Sequence, residues 1–286
     1  MLHPVNGIDH VFLLINDLDA GVAAYSALGF VVSPRGLHSA SKGTANHTIM
    51  FPDDYVELLG ILQSIPANAG RRALLDSAGE GLLAIACRID DAELAAAALD
   101  GLGIATEGLG SFQRPVTLPD GNTGTAAFTT VAFAPEEIPL GQMFMCQHRS
   151  RDTVWIPELL EHPNSACGID GIIACSDNTA ADATRFARLF AQGRVRETTD
   201  GNHVATGLNS APIRVVKPEA LARLYPGIVP EQAPGGAFAA LRIKVRSLET
   251  AQGICAAAGI TSSTTEDGFA VAPSFTCGTI LEFVPA

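Results

Sequence analysis

Two ionisable residues, one basic and one acidic, interrupt apolar segments near the start of the chain. His10 lies in the run IDHVFLLI and Glu57 in the run YVELLGI. An imidazole in an apolar strand needs a partner or a ligand, and a buried carboxylate is costly unless it is paired or bound to a metal. If both side chains face one side of a shared sheet, they form half of a site for a divalent Zn, Mn, Fe, Ni or Co ion. A neutral His10 hydrogen-bonded to Glu57 without an ion is the alternative.

Three other polar residues are candidate substrate contacts. Arg35, next to a glycine, is suited to clamping a carboxylate or phosphate, although it is equally well read as a solvated loop arginine. Asn46 begins a strand together with His47, and their side chains face opposite sides, so only one of them can reach a site. Gln147 is a polar residue at the end of a later strand, beside His148.

The elements that must position these residues follow one repeated order: a strand, a helix, and then two or three strands. In the first round, strands are predicted at 8–15, from Phe30, at 45–51 and at 55–61, with a polar loop at 34–43. Asp17 and Gly29 mark the beginning and end of the helix. Later rounds are predicted to begin with strands at 82–87, 168–170 and 238–245. Their helices are predicted near 92–99, 180–191 and 248–258.

Local similarity between the halves indicates two domains. The segment Gly7-Ile8-Asp9-His10 reappears as Gly168-Ile169-Asp170-Gly171. Repetition at this scale predicts a first domain at 1–150, a linker at 151–167 and a second domain at 168–286. Because Gly171 replaces His10, and Glu282 is left to mirror Glu57 without a histidine, the second domain is expected to be chemically degenerate.

Composition narrows the class of function. The chain has 286 residues and a net charge of −12, without a run of lysines and arginines, so nucleic acid is an unfavourable partner. No apolar run reaches the roughly 20 residues of a membrane span. The first residues lack a basic start and an apolar stretch, and none of the six cysteines forms a C-x-x-C pair. We expect a cytoplasmic protein with free thiols. Nucleotide-binding and serine-hydrolase motifs are absent from the sequence.

Several segments together resemble a known superfamily. IDHV, DLDAGVAAYSALGF, GTAN and YVELLGI are similar to the first module of vicinal-oxygen-chelate proteins. More narrowly, GTAN at 43–46, FMCQH at 144–148 and HPN at 162–164 resemble the glyoxalase-like domain subfamily. The resemblance covers residues 7–164, and the second half shares only the order of elements. It implies an α+β fold in which repeated βαβββ modules pair into open, cup-like mixed sheets with helices outside.

The resemblance also implies where a metal would bind. In metal-using members, ligands come from the first and fourth strands of paired modules. The second module offers only Ala86 or Cys87 and Phe144 at the matching positions, so a third ligand must come from elsewhere. His148 is the first choice and His38, in the loop after Arg35, the second. The family segment favours an inward-facing Asn46.

The resemblance implies a metal-dependent enzyme of the isomerase or lyase type, acting on a small oxygenated organic substrate chelated through vicinal oxygens. The ion would stabilise negative charge on those oxygens, and Glu57 would be a ligand or a base for proton transfer. A non-catalytic protein that sequesters small molecules is one alternative. An extradiol-type dioxygenase is another, and it would need two histidines and one carboxylate. A homodimer is an open alternative to a monomer.

Overall fold

The first half of the chain folds into two βαβββ modules. The computed structural model describes residues 2–118, 121–228 and 238–286. The first module consists of β1 (Ile8–Ile15), α1 (Leu18–Ala27), β2 (Gly36–Leu37), β3 (Thr44–Met50) and β4 (Tyr55–Ile61). Helix α2 (Ala69–Ala78) leads to the second module, which consists of β5 (Gly81–Arg88), α3 (Ala92–Gly101), β6 (Thr106–Thr117), β7 (Thr123–Phe133) and β8 (Gln142–His148).

The second half repeats this plan. Its first module consists of β9 (Ala166–Cys175), α4 (Thr179–Arg188), β10 (Arg194–Thr198), β11 (Gly201–Ala205) and β12 (Ile213–Val216). Helix α5 (Pro218–Leu224) precedes the last module, which consists of β13 (Phe238–Val245), α6 (Leu248–Ala257), β14 (Ser262–Thr264), β15 (Phe269–Val271) and β16 (Ile280–Pro285). No helix in the described residues has both the length and the hydrophobicity needed to span a bilayer.

Each half forms one eight-stranded mixed sheet, and the two sheets have the same strand order. The first runs β2-β3-β4-β1-β5-β8-β7-β6 and the second β10-β11-β12-β9-β13-β16-β15-β14. In the first sheet, β1 is parallel to β4 and antiparallel to β5, while β5 is parallel to β8. The first strands of two modules therefore lie side by side at the centre. The predicted α+β fold of paired βαβββ modules is confirmed.

Local sequence signals set the helix boundaries. The carboxylate of Asp17 accepts hydrogen bonds from the backbone of residues 19 and 20, and that of Asp91 accepts one from Leu94. Such caps satisfy backbone donors that the first turn of a helix leaves free. Gly29 follows α1 with a φ of 83°, a conformation that glycine adopts without a steric penalty.

The strand expected from Phe30 does not form. The backbone N–H of Val31 donates to Nδ1 of His162 at 2.9 Å instead of to a neighbouring strand, and Pro34 has no N–H to give. The second strand of the module is β2, which lies inside the expected loop. His162 also donates from Nε2 to the carbonyl of Met50 at 2.9 Å. The HPN segment thus connects the chain after α1 to the end of β3.

The two halves share a hydrophobic core. Leu13 of β1 and Leu58 of β4 belong to the same buried cluster as Ile172 of β9 and Phe283 of β16. The alternating residues Phe12 and Leu14 belong to a separate cluster on the other face of the first sheet, as the period of two in a strand requires. One face of the first sheet is therefore covered by the second half, and the other face is left for a cavity.

Candidate metal centre and substrate cavity

The inner face of the first sheet lines a cavity of about 720 Å³. This volume lies within the range of small-molecule sites, roughly 300–1,000 Å³. Inward-facing residues of six strands contribute to its wall: His10 and Phe12 of β1, Thr44, Asn46 and Thr48 of β3, Glu57 and Leu59 of β4, Phe112 and Arg114 of β6, Phe128 and Thr130 of β7, and Phe144 and Cys146 of β8. The structure therefore brings His10, Asn46 and Glu57 together, and it places Asn46 inward as the family segment predicts.

A β-bulge shapes the centre of this wall. Ile8 pairs with Cys87 and His10 pairs with Ala86, so Asp9 is an extra residue on β1. Successive side chains of a regular strand point to opposite faces, but a bulge breaks this alternation. Asp9 and His10 are therefore in direct contact although they are neighbours in sequence.

Asp9 joins two histidines. Its Oδ2 atom accepts hydrogen bonds from Nδ1 of His10 at 2.7 Å and from Nε2 of His148 at 2.9 Å. Asp9 is 1% exposed. Burial alone would raise the pKa of its carboxyl, but the hydrogen bonds and charges of the two histidines hold that pKa well below its usual range. Asp9 is thus an anion that fixes the orientation of both rings.

His148 lies behind His10 rather than on the cavity wall. The rings of Tyr55, Phe128 and Trp155 surround it, with centroids 4.9–6.1 Å from its own. Its Nδ1 atom is buried and has no hydrogen-bond partner among the described residues, and the same is true of Oδ1 of Asp9. The ring of His10 stacks on Tyr55 at 4.2 Å. These aromatic contacts leave the side chains of His10 and His148 only 3% and 7% exposed.

Glu57 faces His10 across the cavity wall. Its Oε2 atom lies 3.6 Å from Nε2 of His10, which is longer than a hydrogen bond. Its Oε1 atom accepts a hydrogen bond from Nδ2 of Asn46 at 2.8 Å. Glu57 is 8% exposed, so its carboxylate is held in one orientation at a nearly dry surface.

These donors fit a divalent ion in two arrangements. The ligand atoms of Asp9, His10 and His148 lie within 4.8 Å of one another. In the structure, Oδ2 of Asp9 already accepts hydrogen bonds from both histidine rings. The second arrangement uses Nε2 of His10 and Oε2 of Glu57, whose separation suits two ligands at about 2.0–2.2 Å from one ion. Asp9 then orients the ring from behind, as the partner carboxylates of metal-bound histidines do.

His38 is another histidine on the cavity side, but its ring does not form a ready cluster of ligand atoms with His10 and Glu57. In the described residues, the group of three such ligands within 4.8 Å of one another is Asp9, His10 and His148. His38 lines the cavity, and its Nδ1 atom lies 2.7 Å from Oγ1 of Thr44. Its Nε2 atom has no hydrogen-bond partner among the described residues. Burial, aided by nearby cations, lowers the pKa of His38 to about 4, against the attraction of Glu57. The neutral ring that results at neutral pH is the form that binds a metal.

Much of the chain matches a known protein family. The model of the Glyoxalase-like domain family matches residues 8–190, which is more than half of its length. The chain belongs to the glyoxalase-like domain family. The match extends beyond the segments that carry the resemblance and reaches the helix of the third module. No curated protein matches the chain in sequence.

Two solved structures share the fold of this glyoxalase-like protein across both halves. A hypothetical protein from Staphylococcus aureus is 14% identical, with a TM-score of 0.70 over 98% of this chain and 99% of that one. A variant of 4-hydroxymandelate synthase from Streptomyces coelicolor is 12% identical, with a TM-score of 0.55 over 99% and 93%. Methylmalonyl-CoA epimerase from Mycobacterium tuberculosis is 18% identical over 51% and 91%, with a TM-score of 0.38. The family match confirms the predicted glyoxalase-like domain membership, and the two structures that cover both halves confirm the shared fold.

Two of the predicted substrate contacts lie outside the cavity of this glyoxalase-like domain. Arg35 forms an ion pair with Asp19 at 2.6 Å on the surface. Gln147 accepts a hydrogen bond from the backbone of Ala92 at the start of α3, because it faces the opposite side of β8 from Phe144 and Cys146. In this structure both side chains serve the scaffold, so substrate contact from Arg35 or Gln147 is not supported by their positions.

The second sheet has an arginine, Arg242, in the region where the first sheet has the candidate metal ligands His10 and Glu57. Arg242 pairs with Gly171 as Ala86 pairs with His10, and Asp170 sits in the same bulge as Asp9. The guanidinium of Arg242 contacts Asp170 at 2.9 Å and Glu282 at 3.5 Å. By strand position, Glu282 corresponds to Phe144 rather than to Glu57, because β16 occupies the place of β8.

Proposed function

We propose that this glyoxalase-like protein is a metal-dependent enzyme of the isomerase or lyase type, which acts on a small organic substrate chelated through two neighbouring oxygens. One observation carries the proposal. Nε2 of His10 and Oε2 of Glu57 lie 3.6 Å apart on the cavity wall without a hydrogen bond between them, while Asp9 fixes the other nitrogen of the ring. A bound divalent ion would act there as a Lewis acid that stabilises negative charge on the substrate oxygens.

The chain's own residues would prepare a proton transfer. Asp9 holds His10 in the tautomer that carries its proton on Nδ1 and presents the lone pair of Nε2 to the cavity. Asn46 donates to one oxygen of Glu57 and leaves the other facing His10. That oxygen would be a ligand of the ion or, when the substrate displaces it, a base that takes a proton from a carbon beside the chelated group. The apolar walls formed by Phe12 and Phe144 exclude water from that transfer.

A third protein ligand completes the site in this proposal. We assign it to His38, which lines the cavity and would have to move closer to His10 and Glu57 to bind the ion, whereas His148 lies behind the wall and bonds to Asp9. The resulting set is two histidines and one carboxylate. Such a set also supports oxygen activation by ferrous iron, and an extradiol-type dioxygenase is therefore the second candidate.

Metal analysis of the full chain, purified without a metal-affinity tag, tests the proposal. We expect one tightly bound divalent ion per chain, lost in His10→Ala and Glu57→Gln and retained in His203→Ala, a histidine of the second sheet that is distant from the cavity. Metal-dependent exchange of a substrate C–H proton with D2O, followed by NMR, would support isomerase or lyase chemistry. Oxygen consumption with a catechol by the iron-loaded protein would favour the second candidate. Failure to bind any divalent ion under supplementation would rule out both.

A further inference from the structure

We propose that the cavity recognises an organic oxyanion, whose carboxylate or phosphate group is held by Lys42, Arg71 and Arg114. This proposal rests on the proposed function, because it names the class of substrate for the same cavity. The three cations come from three separate elements: the loop before β3, helix α2 and strand β6. All three line the cavity. In a chain whose net charge is −12, such a concentration of positive charge points to a specific ligand.

The three cationic groups lack anionic partners in the described part of the chain. None of them forms an ion pair or a side-chain hydrogen bond there. Lys42 instead has its Nζ atom 3.3 Å from the ring centroid of Phe112, and Arg71 has its Cζ atom 5.5 Å from that of Phe12. An aromatic face holds a cation without using its N–H donors, so these donors stay available to a ligand.

Arg114 lies beside the proposed metal ligands. A Cβ atom at position 36 would be 2.6 Å from Cζ of Arg114 and 2.5 Å from Oδ1 of Asn46, so Gly36 provides the room in which these two side chains meet. Asn46 in turn bonds to Glu57. The guanidinium is therefore next to the carboxylate that faces His10, where it can hold an acidic group of a substrate while the adjacent oxygens reach the proposed ion.

The burial of the three cations favours the binding of an anion. Burial lowers the pKa of Arg114, Arg71 and Lys42, while the charge of Glu57 opposes this change in each case. Glu57 is already bonded to Asn46, and Glu107, the other acidic residue on the wall, is exposed. A ligand oxyanion would replace the hydration that the buried cations have lost.

The rest of the cavity wall is apolar and indicates an apolar group on the ligand. Apolar side chains of β7, β8 and the segment between them line the cavity: Phe133, Pro135, Ile138, Met143 and Phe144. They suit an aryl or branched alkyl group. The ligand class is thus a small amphipathic acid or phosphate ester.

Calorimetric titration with three probes tests this inference: phenylacetate, phenyl phosphate and the neutral phenylacetamide. We expect at least one anion to bind chelator-treated protein more tightly than phenylacetamide does, and the tighter anion identifies the group that the cations take. Arg71→Gln, Arg114→Gln and Lys42→Gln should each weaken that binding about tenfold or more, as expected for the loss of a charge-assisted hydrogen bond. Arg72→Gln, at the neighbouring position of α2 outside the cavity, is the matched control.

The salt dependence of binding and a comparison with the metal analysis separate the outcomes. Added salt should weaken binding of the anions to the unmodified protein and leave phenylacetamide unaffected, which requires no variant to fold. Equal affinity for all three probes, no binding of either anion, or full affinity in Arg71→Gln and Arg114→Gln would overturn the inference. Because the titration uses metal-free protein, anion binding with no metal binding would refute the proposed function alone. Metal binding without anion binding would refute this inference alone.

Discussion

The carboxylate of Asp9 and the imidazole of His10 are adjacent in sequence and nevertheless hydrogen-bond to each other, with 2.7 Å between Oδ2 and Nδ1. The bulge in β1 makes this contact possible, since a regular strand would direct the two side chains to opposite faces. The contact determines which nitrogen of His10 faces Glu57 and the cavity. It therefore links a backbone irregularity to the chemistry of the proposed metal site.

Asp9→Asn should weaken metal binding by about 10–100-fold, the usual effect of removing a carboxylate that orients a ligating histidine. The amide keeps the size of the side chain but cannot accept hydrogen bonds from two rings as well as an anion does. Competition titration with a chromophoric chelator measures the change. Asp170→Asn, at the equivalent bulge of the second sheet, should leave metal affinity unchanged. Equal affinity of Asp9→Asn and the unmodified protein would contradict the assigned role.

His38→Ala should reduce metal affinity more than His148→Ala. In the proposed site His38 binds the ion directly from the cavity side, whereas His148 acts only through Asp9. Metal content after dialysis and the visible spectrum of the Co²⁺-loaded protein report on the ligand set. A spectrum that changes in His148→Ala and stays the same in His38→Ala would instead support the cluster of Asp9, His10 and His148.

The sequence predicts the histidine and the glutamate of the site but not the groups around them. His10 and Glu57 stand out because they are polar residues in apolar strands. Asp9 does not, because strand alternation predicts that it points away from His10, and no local signal marks the bulge. Arg114 lies on a long edge strand where a charge is ordinarily solvated. Arg71 lies on α2, in a segment for which the sequence indicated no element.

The repeated order of elements predicts the fold well because each module carries its own strand patterns, and three of the four module helices begin with a capping side chain, from Asp17, Asp91 and Ser247. The shared core between the halves depends on contacts distant in sequence, such as the stacking of Phe30 on Phe283 at 5.9 Å. Such pairings leave no periodic signal. For the same reason, the position of Glu282 opposite Phe144 became apparent only from the order of strands in the two sheets.

Asp54→Asn should change how stability depends on pH. Asp54 is buried at the contact between the halves, where its Oδ1 atom accepts a hydrogen bond from the backbone of Ile169 at 3.1 Å. Burial raises the pKa of Asp54 from 3.8 to about 7. Between these values the folded protein keeps a proton that the unfolded chain has released, so the free energy of unfolding falls as the pH rises, by up to about 1.4 kcal/mol per unit.

Urea unfolding at pH 5 and pH 8 measures this effect. The asparagine variant keeps the acceptor oxygen and has no proton to lose, so its stability should decrease less over this interval than that of the unmodified protein. Asp53→Asn, at the exposed neighbouring position, should behave like the unmodified protein. Parallel pH profiles for Asp54→Asn and the unmodified protein would show that the buried carboxyl does not titrate in this range.

Arg242→Met should destabilise the second sheet strongly. The guanidinium lies 3.5 Å from Glu282, which is 3% exposed and also accepts a hydrogen bond from Tyr225. Methionine fills much of the same space but leaves the carboxylate without a cation, at a cost of about 3–5 kcal/mol for a buried pair. The double variant Arg242→Met with Glu282→Gln should recover part of that loss because no charge then remains buried.

Arg246→Met, which removes an exposed ion pair with Glu161, should cost under about 1 kcal/mol. Chemical denaturation of the three variants compares these costs, and similar losses for Arg242→Met and Arg246→Met would show that Arg242 does not neutralise Glu282.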